Sequence, residues 1–158
     1  MMQILPIVKS DPYLAPFAGA IWGRYEYFLD TEKRLVGEGN KTLSDFASGY
    51  LYFGLHRTDK GWTFREWAPN ATAIYMVGDF NNWGKAKKYS LEPIHDGIWE
   101  IHLPATALKH GQFYKLIVEW SGGSGERIPA WARRVVQDEN TKIFSTQVWN
   151  PSKPYLFK

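Results

Sequence analysis

Residues Gly78 to Lys85 read GDFNNWGK and place a carboxylate, two amides, a phenylalanine, a tryptophan and a lysine beside two glycines. Glycine, aspartate and asparagine are depleted in strands and favoured in turns, so the stretch reads as a turn that carries an indole. An aromatic at a turn tip is a solubility liability unless something flat covers it. Amides donate and accept hydrogen bonds at once. An indole face ringed by such groups suits a sugar ring, whose C–H face is apolar and whose rim hydroxyls bond in both directions. Charge alone would serve phosphate better. The competing fate of Trp83 is a corner residue folded back over the core, which is commoner for a single tryptophan. Asn81 and Asn82 have two readings as well, as turn formers or as hydroxyl partners.

Other chemistry is limited by elimination. His56, His95, His102 and His110 lie on separate elements without metal-ligand spacing, so they read as surface or half-buried polar residues and no metal site is expected. Ser121 to Glu126, SGGSGE, joins two strands and lacks the Gly-Lys-Ser/Thr ending of a phosphate loop; it reads as a flexible hairpin. No GxSxG elbow occurs, and no carboxylate pair stands out for glycoside chemistry. No catalytic residue and no cofactor is expected.

The elements that must position the turn come in two regimes. With 158 residues and 44% hydrophobic content, the chain can bury a core as one domain with a small appendage. From Asp11 to about Val36 the apolar residues Leu14, Phe17, Ala18, Ile21, Tyr25, Phe28 and Leu29 recur at helical spacing. Asp11 before Pro12 suits an N-cap, Pro16 and Gly19 weaken the middle, and Gly37 and Gly39 end the run. A brief helix over 42–47 follows, with Thr42 or Ser44 as cap. From Tyr50 the period is two. Strands are expected over 52–57, 62–67, 73–78, 98–103, 113–120, 133–136 and 143–148, with turn signals between them. This predicts a mainly β chain: an immunoglobulin-like antiparallel β-sandwich preceded by an N-terminal helical segment. In the run Ile98 to Leu103, alternation turns Trp99, Ile101 and Leu103 inward.

Composition narrows the partners. No cysteine is present, which removes disulfide and thiolate chemistry and leans towards a reducing, cytoplasmic setting. No signal peptide or membrane span is expected. The Asn40 and Asn70 sequons are read as chance. A net charge of +3, with only Lys85, Lys87 and Lys88 clustered, argues against nucleic acid. Eight tryptophans exceed what a core of this size requires and suggest flat ligands.

FREWAPNATAIYMVGDFNNWGK closely resembles the module at the front of the amylase-superfamily glycogen and starch branching enzymes. It is also similar to the glycogen-binding domain of the AMP-activated kinase beta subunit. The former likeness extends through DPYLAPF, FASGYLYFGLHR, FREWAPNA, GDFNNW, YKLIVEW with RIPAWARRVV, and VWNPSKPY, in the family's order. It covers nearly the whole chain, including the helical leader that the kinase module lacks. The resemblance implies a leader over 1–49, a carbohydrate-binding-type sandwich over 50–148, and over 149–158 the start of a linker to a (β/α)₈ barrel. That barrel would cut an α-1,4-glucan and rejoin the fragment through an α-1,6 bond by a covalent retaining mechanism. Its motifs do not occur here, so the fragment is expected to be catalytically silent. The implied partners are α-glucan, as glycogen or maltooligosaccharide, and the barrel.

By resemblance to the kinase module, Trp83 matches a glucan-stacking tryptophan and Lys115 a lysine that bonds sugar hydroxyls. Trp120 stands near a second stacking tryptophan, across a hairpin of different length. The loop that adds polar contacts there falls here on VVQDENTKIF, with Asn140 and Lys142 at its middle, and the kinase pattern is not kept. Asn82 joins the list from the chemistry of the turn. Structural alternatives stand beside these: Lys115 as a solvated strand lysine, Trp120 as a cap on the sandwich edge. Trp62, Trp67, Trp99 and Trp131 are assigned to packing, within the sandwich or against the barrel, with Trp67 buried at a strand end. Two further functions compete with glucan binding: a domain that only braces the barrel, and an aromatic β-domain that stacks single-stranded nucleic acid.

Overall fold

The computed structural model describes residues 4–37, 39 and 41–153. The chain divides into two compact units, Met1–Gly49 and Tyr50–Lys158. Asn40 of the first sequon and the last five residues of the expected linker lie outside the described residues.

The first unit is helical. Helix α1 spans Pro6–Ser10. A 3₁₀ segment, Pro12–Phe17, follows Asp11, whose side chain accepts the Tyr13 N–H as the cap reading requires. Helix α2 spans Ala18–Val36 and ends at Gly37, which holds a left-handed φ of 69°. Pro16 therefore divides the expected helical run into a 3₁₀ piece and a regular helix. Helix α3, Leu43–Phe46, is opened by Thr42, whose hydroxyl accepts the Asp45 N–H while Asp45 accepts the Thr42 N–H. A further single turn, Gly49–Tyr52, stands where a strand start was expected; the strand begins at Gly54.

Among the described residues of the second unit, nine strands form two antiparallel sheets. One orders β1 (Gly54–Thr58), β2 (Gly61–Trp67), β5 (Ile98–Leu103) and β4 (Glu92–His95) as β1-β2-β5-β4. The other orders β3 (Ala71–Gly78), β6 (Phe113–Trp120), β9 (Phe144–Gln147) and β8 (Val135–Gln137) as β3-β6-β9-β8, and β7 (Gly123–Arg127) pairs with the far half of β6. The expected immunoglobulin-like sandwich is thus present. β4 and β7 were not expected. Pro93 disguises the first, and as an edge strand it tolerates the missing N–H. The second is the SGGSGE segment, of which only the Ser121–Gly122 portion turns.

The core follows the two-residue period. Trp62, Phe64, Trp99, Ile101 and Leu103 of the first sheet meet Ile74, Met76, Tyr114 and Leu116 of the second. Phe64 and Tyr114 cross between the sheets edge to face, with ring centroids 6.3 Å apart. The buried indoles satisfy their N–H groups: Trp99 donates to the Ala68 carbonyl at 3.0 Å and Trp62 to that of Ala105 at 3.3 Å. Trp67 corrects an expectation. It is 58% exposed because Trp62, Phe64 and Glu66 take the inward parity of β2 and leave Trp67 outward, its N–H on the Asp96 carbonyl.

Glu66 occupies that inward place at the strand end. It is buried, and its oxygens accept the Ala130 N–H at 3.0 Å and the Trp67 N–H at 3.2 Å. Loss of hydration raises its pKa above the ordinary 4.5, and the two backbone bonds only partly oppose this. Upward from 4.5 the native state therefore binds more protons at Glu66 than the unfolded chain, so this group's contribution falls as pH rises. Urea unfolding of the parent and Glu66→Gln should show the parent gaining stability relative to the variant as pH is lowered from neutral towards 4.5. A pH-independent difference would refute burial as the cause.

Candidate functional site

The turn after β3 is built by its own side chains. Gly78 packs against β6: a Cβ there would run into the Phe113 carbonyl oxygen and lie 2.9 Å from Tyr114 Cα. Asn81 closes the bend, its Oδ1 accepting the Gly78 N–H at 2.9 Å and its Nδ2 donating to the Met76 carbonyl at 3.0 Å. Asn81 is therefore a turn former. Asn82 and Trp83 follow with φ of 52° and 58°, two successive non-glycine residues in the left-handed region, where an aromatic is a marked outlier. The Trp83 N–H reaches back to the Gly78 carbonyl at 3.0 Å. Asp79 uses both oxygens: Oδ1 accepts the Trp83 Nε1–H at 3.1 Å and Oδ2 accepts the Phe113 N–H at 2.7 Å.

The result is an indole at the surface. Trp83 is 40% exposed and forms one wall of a groove of about 520 Å³. Phe113, Val136 and Ile143 supply apolar lining; Gln137, Asp138, Glu139, Asn140, Thr141 and Ser145 supply polar groups. The loop between β8 and β9 is folded by Asp138, whose Oδ1 accepts the N–H groups of Asn140 (3.0 Å) and Thr141 (2.7 Å) and the Thr141 hydroxyl (2.9 Å). These bonds hold the Asp138 carboxyl below its usual range, Thr141 contributing most. Lys142 continues the loop at φ 60° and donates its N–H to the Asp138 carbonyl.

The sequence-derived residues are distributed unequally. Asn140 lines the groove with Trp83; Lys142 is not among its lining residues. Asn82 is exposed beside Trp83, and its side-chain amide takes no part in the hydrogen bonds that close the turn. Lys115 shares the outer face of β6 with Phe113, two residues along, but its side chain is only 13% exposed and its Nζ lies 2.8 Å from Glu126. Trp120 does not join them. It has the inward parity of Tyr114 and Leu116, at the end of β6 that pairs with Ala71, whereas Trp83 adjoins the Phe113 end. Its indole covers β7: Cβ atoms at Gly123 and Gly125 would come within 3.2 and 3.3 Å of it, and the Arg127 guanidinium lies 5.2 Å from the ring centroid. Trp120 thus packs over β7 at the sandwich edge.

Two contributors escaped sequence reasoning. Asp79 was visible only as an acid within the turn. Asp138 had a local signal, an aspartate two and three residues before Asn140 and Thr141, which is the spacing of an Asx turn. Among the described residues, no group of three His, Cys, Asp or Glu is placed to hold a metal, and no helix is long and apolar enough to cross a membrane.

A two-sheet antiparallel sandwich that displays a braced aromatic on an end loop belongs to the class of immunoglobulin-like binding modules. More particularly, residues 52–132 match the model of carbohydrate-binding module 48 (isoamylase N-terminal domain), and the chain belongs to that family. Its relatives include proteins named 1,4-alpha-glucan-branching enzyme. That of Dictyostelium discoideum is 37% identical over 96% of this chain, that of Emericella nidulans 41% over 93%, and that of Felis catus 33% over 99%. The chain spans 22–23% of the length of these relatives. In three dimensions it superposes on a Bacillus subtilis type I pullulanase complexed with maltose (TM-score 0.51, 15% identity, 82% of this chain and 15% of that one). It also superposes on a glycogen-degrading pneumococcal virulence factor (TM-score 0.51, 17% identity, 78% and 13%). At these identities the superpositions speak for the fold.

Gly78 and Trp120 give a test of this anatomy. Gly78→Ala should destabilise the sandwich by about 2 kcal/mol or more, since the new methyl meets backbone rather than a movable side chain. Trp120→Ala should also lower the urea midpoint while leaving the environment of the Trp83 indole, read from its ¹H–¹⁵N resonance, unchanged.

Proposed function

We propose that this chain is an α-glucan-binding module of a 1,4-α-glucan branching enzyme and that the Trp83 groove is where it holds a glucan chain. The observation that carries the reading is an indole fixed at the surface beside amides and hydroxyls, in a groove large enough for glucosyl units. Family membership and the names of the relatives support it. Trp83 stacks on the C–H face of a glucose; Asn140 and Asn82 bond its rim hydroxyls. Lys115 assists from the same face, after its ammonium group exchanges part of its contact with Glu126 for a sugar hydroxyl. The partner in the whole protein is a catalytic barrel that transfers α-1,4 fragments to α-1,6 positions, and the residues up to Gly49 form the leader to the sandwich. The lack of cysteine accords with a cytoplasmic protein.

Magnitudes make the binding weak. A stacked base contributes roughly 1–3 kcal/mol, and one sugar on one indole is comparable before the losses of association. A linear maltooligosaccharide should therefore bind with Kd in the ~mM to high-μM range. A polymer offering many equivalent chains turns such affinity into useful retention.

Titration of maltoheptaose, followed by Trp83 indole and Asn140 amide shifts, should saturate in that range. Trp83→Ala should abolish the response, whereas Lys115→Ala should weaken it by no more than about threefold, as expected for an ion-paired side chain at a rim. Silence at tens of millimolar, with Trp83→Ala indistinguishable from the parent, would leave only a bracing role. Salt-sensitive binding of oligo-dT instead of maltoheptaose would favour nucleic acid.

A further inference from the structure

The structure assigns to Asp79 a role of its own: it is the positioning residue that locks the Trp83 indole as a rigid platform and removes the indole N–H from ligand recognition. The inference rests on the glucan-binding reading of the groove and adds to it the device that fixes the groove's stacking surface.

Trp83 stands at φ 58°, after Asn82 at 52°. Consecutive left-handed non-glycine residues cost free energy and persist only where surrounding bonds over-determine them. The backbone bonds Trp83 N–H to Gly78 and Gly84 N–H to Asn81 hold the main chain. They leave the indole free to rotate about its side-chain torsions. Asp79 closes that freedom from the side, one oxygen on the indole N–H and the other on the first N–H of β6. The carboxylate thereby ties the ring to the strand that supplies Phe113 to the groove.

The two lysines of this face do not explain the acid. Lys85 is paired with Glu119 and Lys115 with Glu126. Asp79 instead accepts one N–H on each of its two oxygens, which an amide cannot do, because only one of its two terminal atoms is an acceptor and the other is itself a donor. A consequence for recognition follows. With its N–H held by Asp79, the indole offers a ligand only a face, so directional contacts must come from other side chains, those of Asn140, Asn82 and Lys115. Such a site reads the apolar face of a sugar and tolerates variation in the hydroxyl opposite the indole nitrogen.

The test uses the 158-residue chain in four forms: parent, Asp79→Asn, Trp83→Phe and the double variant. Asp79→Asn should release the indole, bring the Trp83 ¹H–¹⁵N resonance to the position of a solvent-exposed indole, and weaken maltoheptaose about tenfold. In the Trp83→Phe background, which has a ring but no indole N–H, Asp79→Asn should change affinity by less than about twofold. Equal losses in both backgrounds would overturn the proposal, because Asp79 would then act through β6 alone. An unchanged indole resonance in Asp79→Asn would overturn it too. If the parent binds no maltoheptaose, the glucan reading fails, yet the indole resonance and its hydrogen exchange still report directly on the Asp79–Trp83 link.

Discussion

The alternation of side chains along β6 is the constraint on which the rest of the second unit depends. Tyr114 and Leu116 point inward and are buried, while Phe113 and Lys115 point outward. β6 pairs with β3, β9 and β7, so its register transmits that division to three neighbours. Gly78 opposite Tyr114 lets β3 approach closely at the end where the turn begins. The N–H of Phe113 anchors Asp79 there, and its side chain lines the groove. A one-residue slip of β6 would send Tyr114 into solvent and Phe113 into the core, and the site would be lost together with the fold.

The same alternation separates two of the candidate residues. Trp120 and Lys115 are five residues apart in the sequence, an odd spacing that puts them on opposite faces of one strand. A resemblance carried across a hairpin of different length suggested a shared role; the parity of the strand sets the two side chains on opposite faces. Trp120 instead explains the glycines of β7. Cβ atoms at Gly123 and Gly125 would crowd its indole at 3.2 and 3.3 Å, and the latter would also meet the Arg127 guanidinium, so glycine suits this strand, whereas composition suggested a flexible turn.

Much of the fold was legible because it rests on local periodicity. Trp99, Ile101 and Leu103 are buried as their alternation required, and the caps at Asp11 and Thr42 form the bonds their residue types suggest. Sequence is weaker where a position depends on its partner strand. Trp67 looked like a core residue by type, yet Glu66 holds the inward place because two backbone N–H groups, from Ala130 and Trp67 itself, converge there. The candidate site was legible in its surface indole and opaque in its supports. Nothing local distinguishes Asn81, which closes the turn, from Asn82, which leaves its amide at the surface, and the partner of Asp79 lies 34 residues away at Phe113.

Rigidity matters more in a weak site than in a tight one. Immobilising one rotamer-rich side chain on binding costs about 0.5–1.5 kcal/mol, while one stacked ring contributes roughly 1–3 kcal/mol. With a single indole in the groove, a free-swinging platform would forfeit a large share of its only stacking term. On the proposed glucan reading, the left-handed pair Asn82–Trp83 and the two-armed Asp79 carboxylate move that ordering cost from binding to folding, where the cooperativity of the sandwich absorbs it. The turn's unusual composition follows from this. Glycine gives the strand close approach, one amide closes the bend, the acid fixes the ring, and the second amide stays at the rim, so that a surface tryptophan becomes a defined surface.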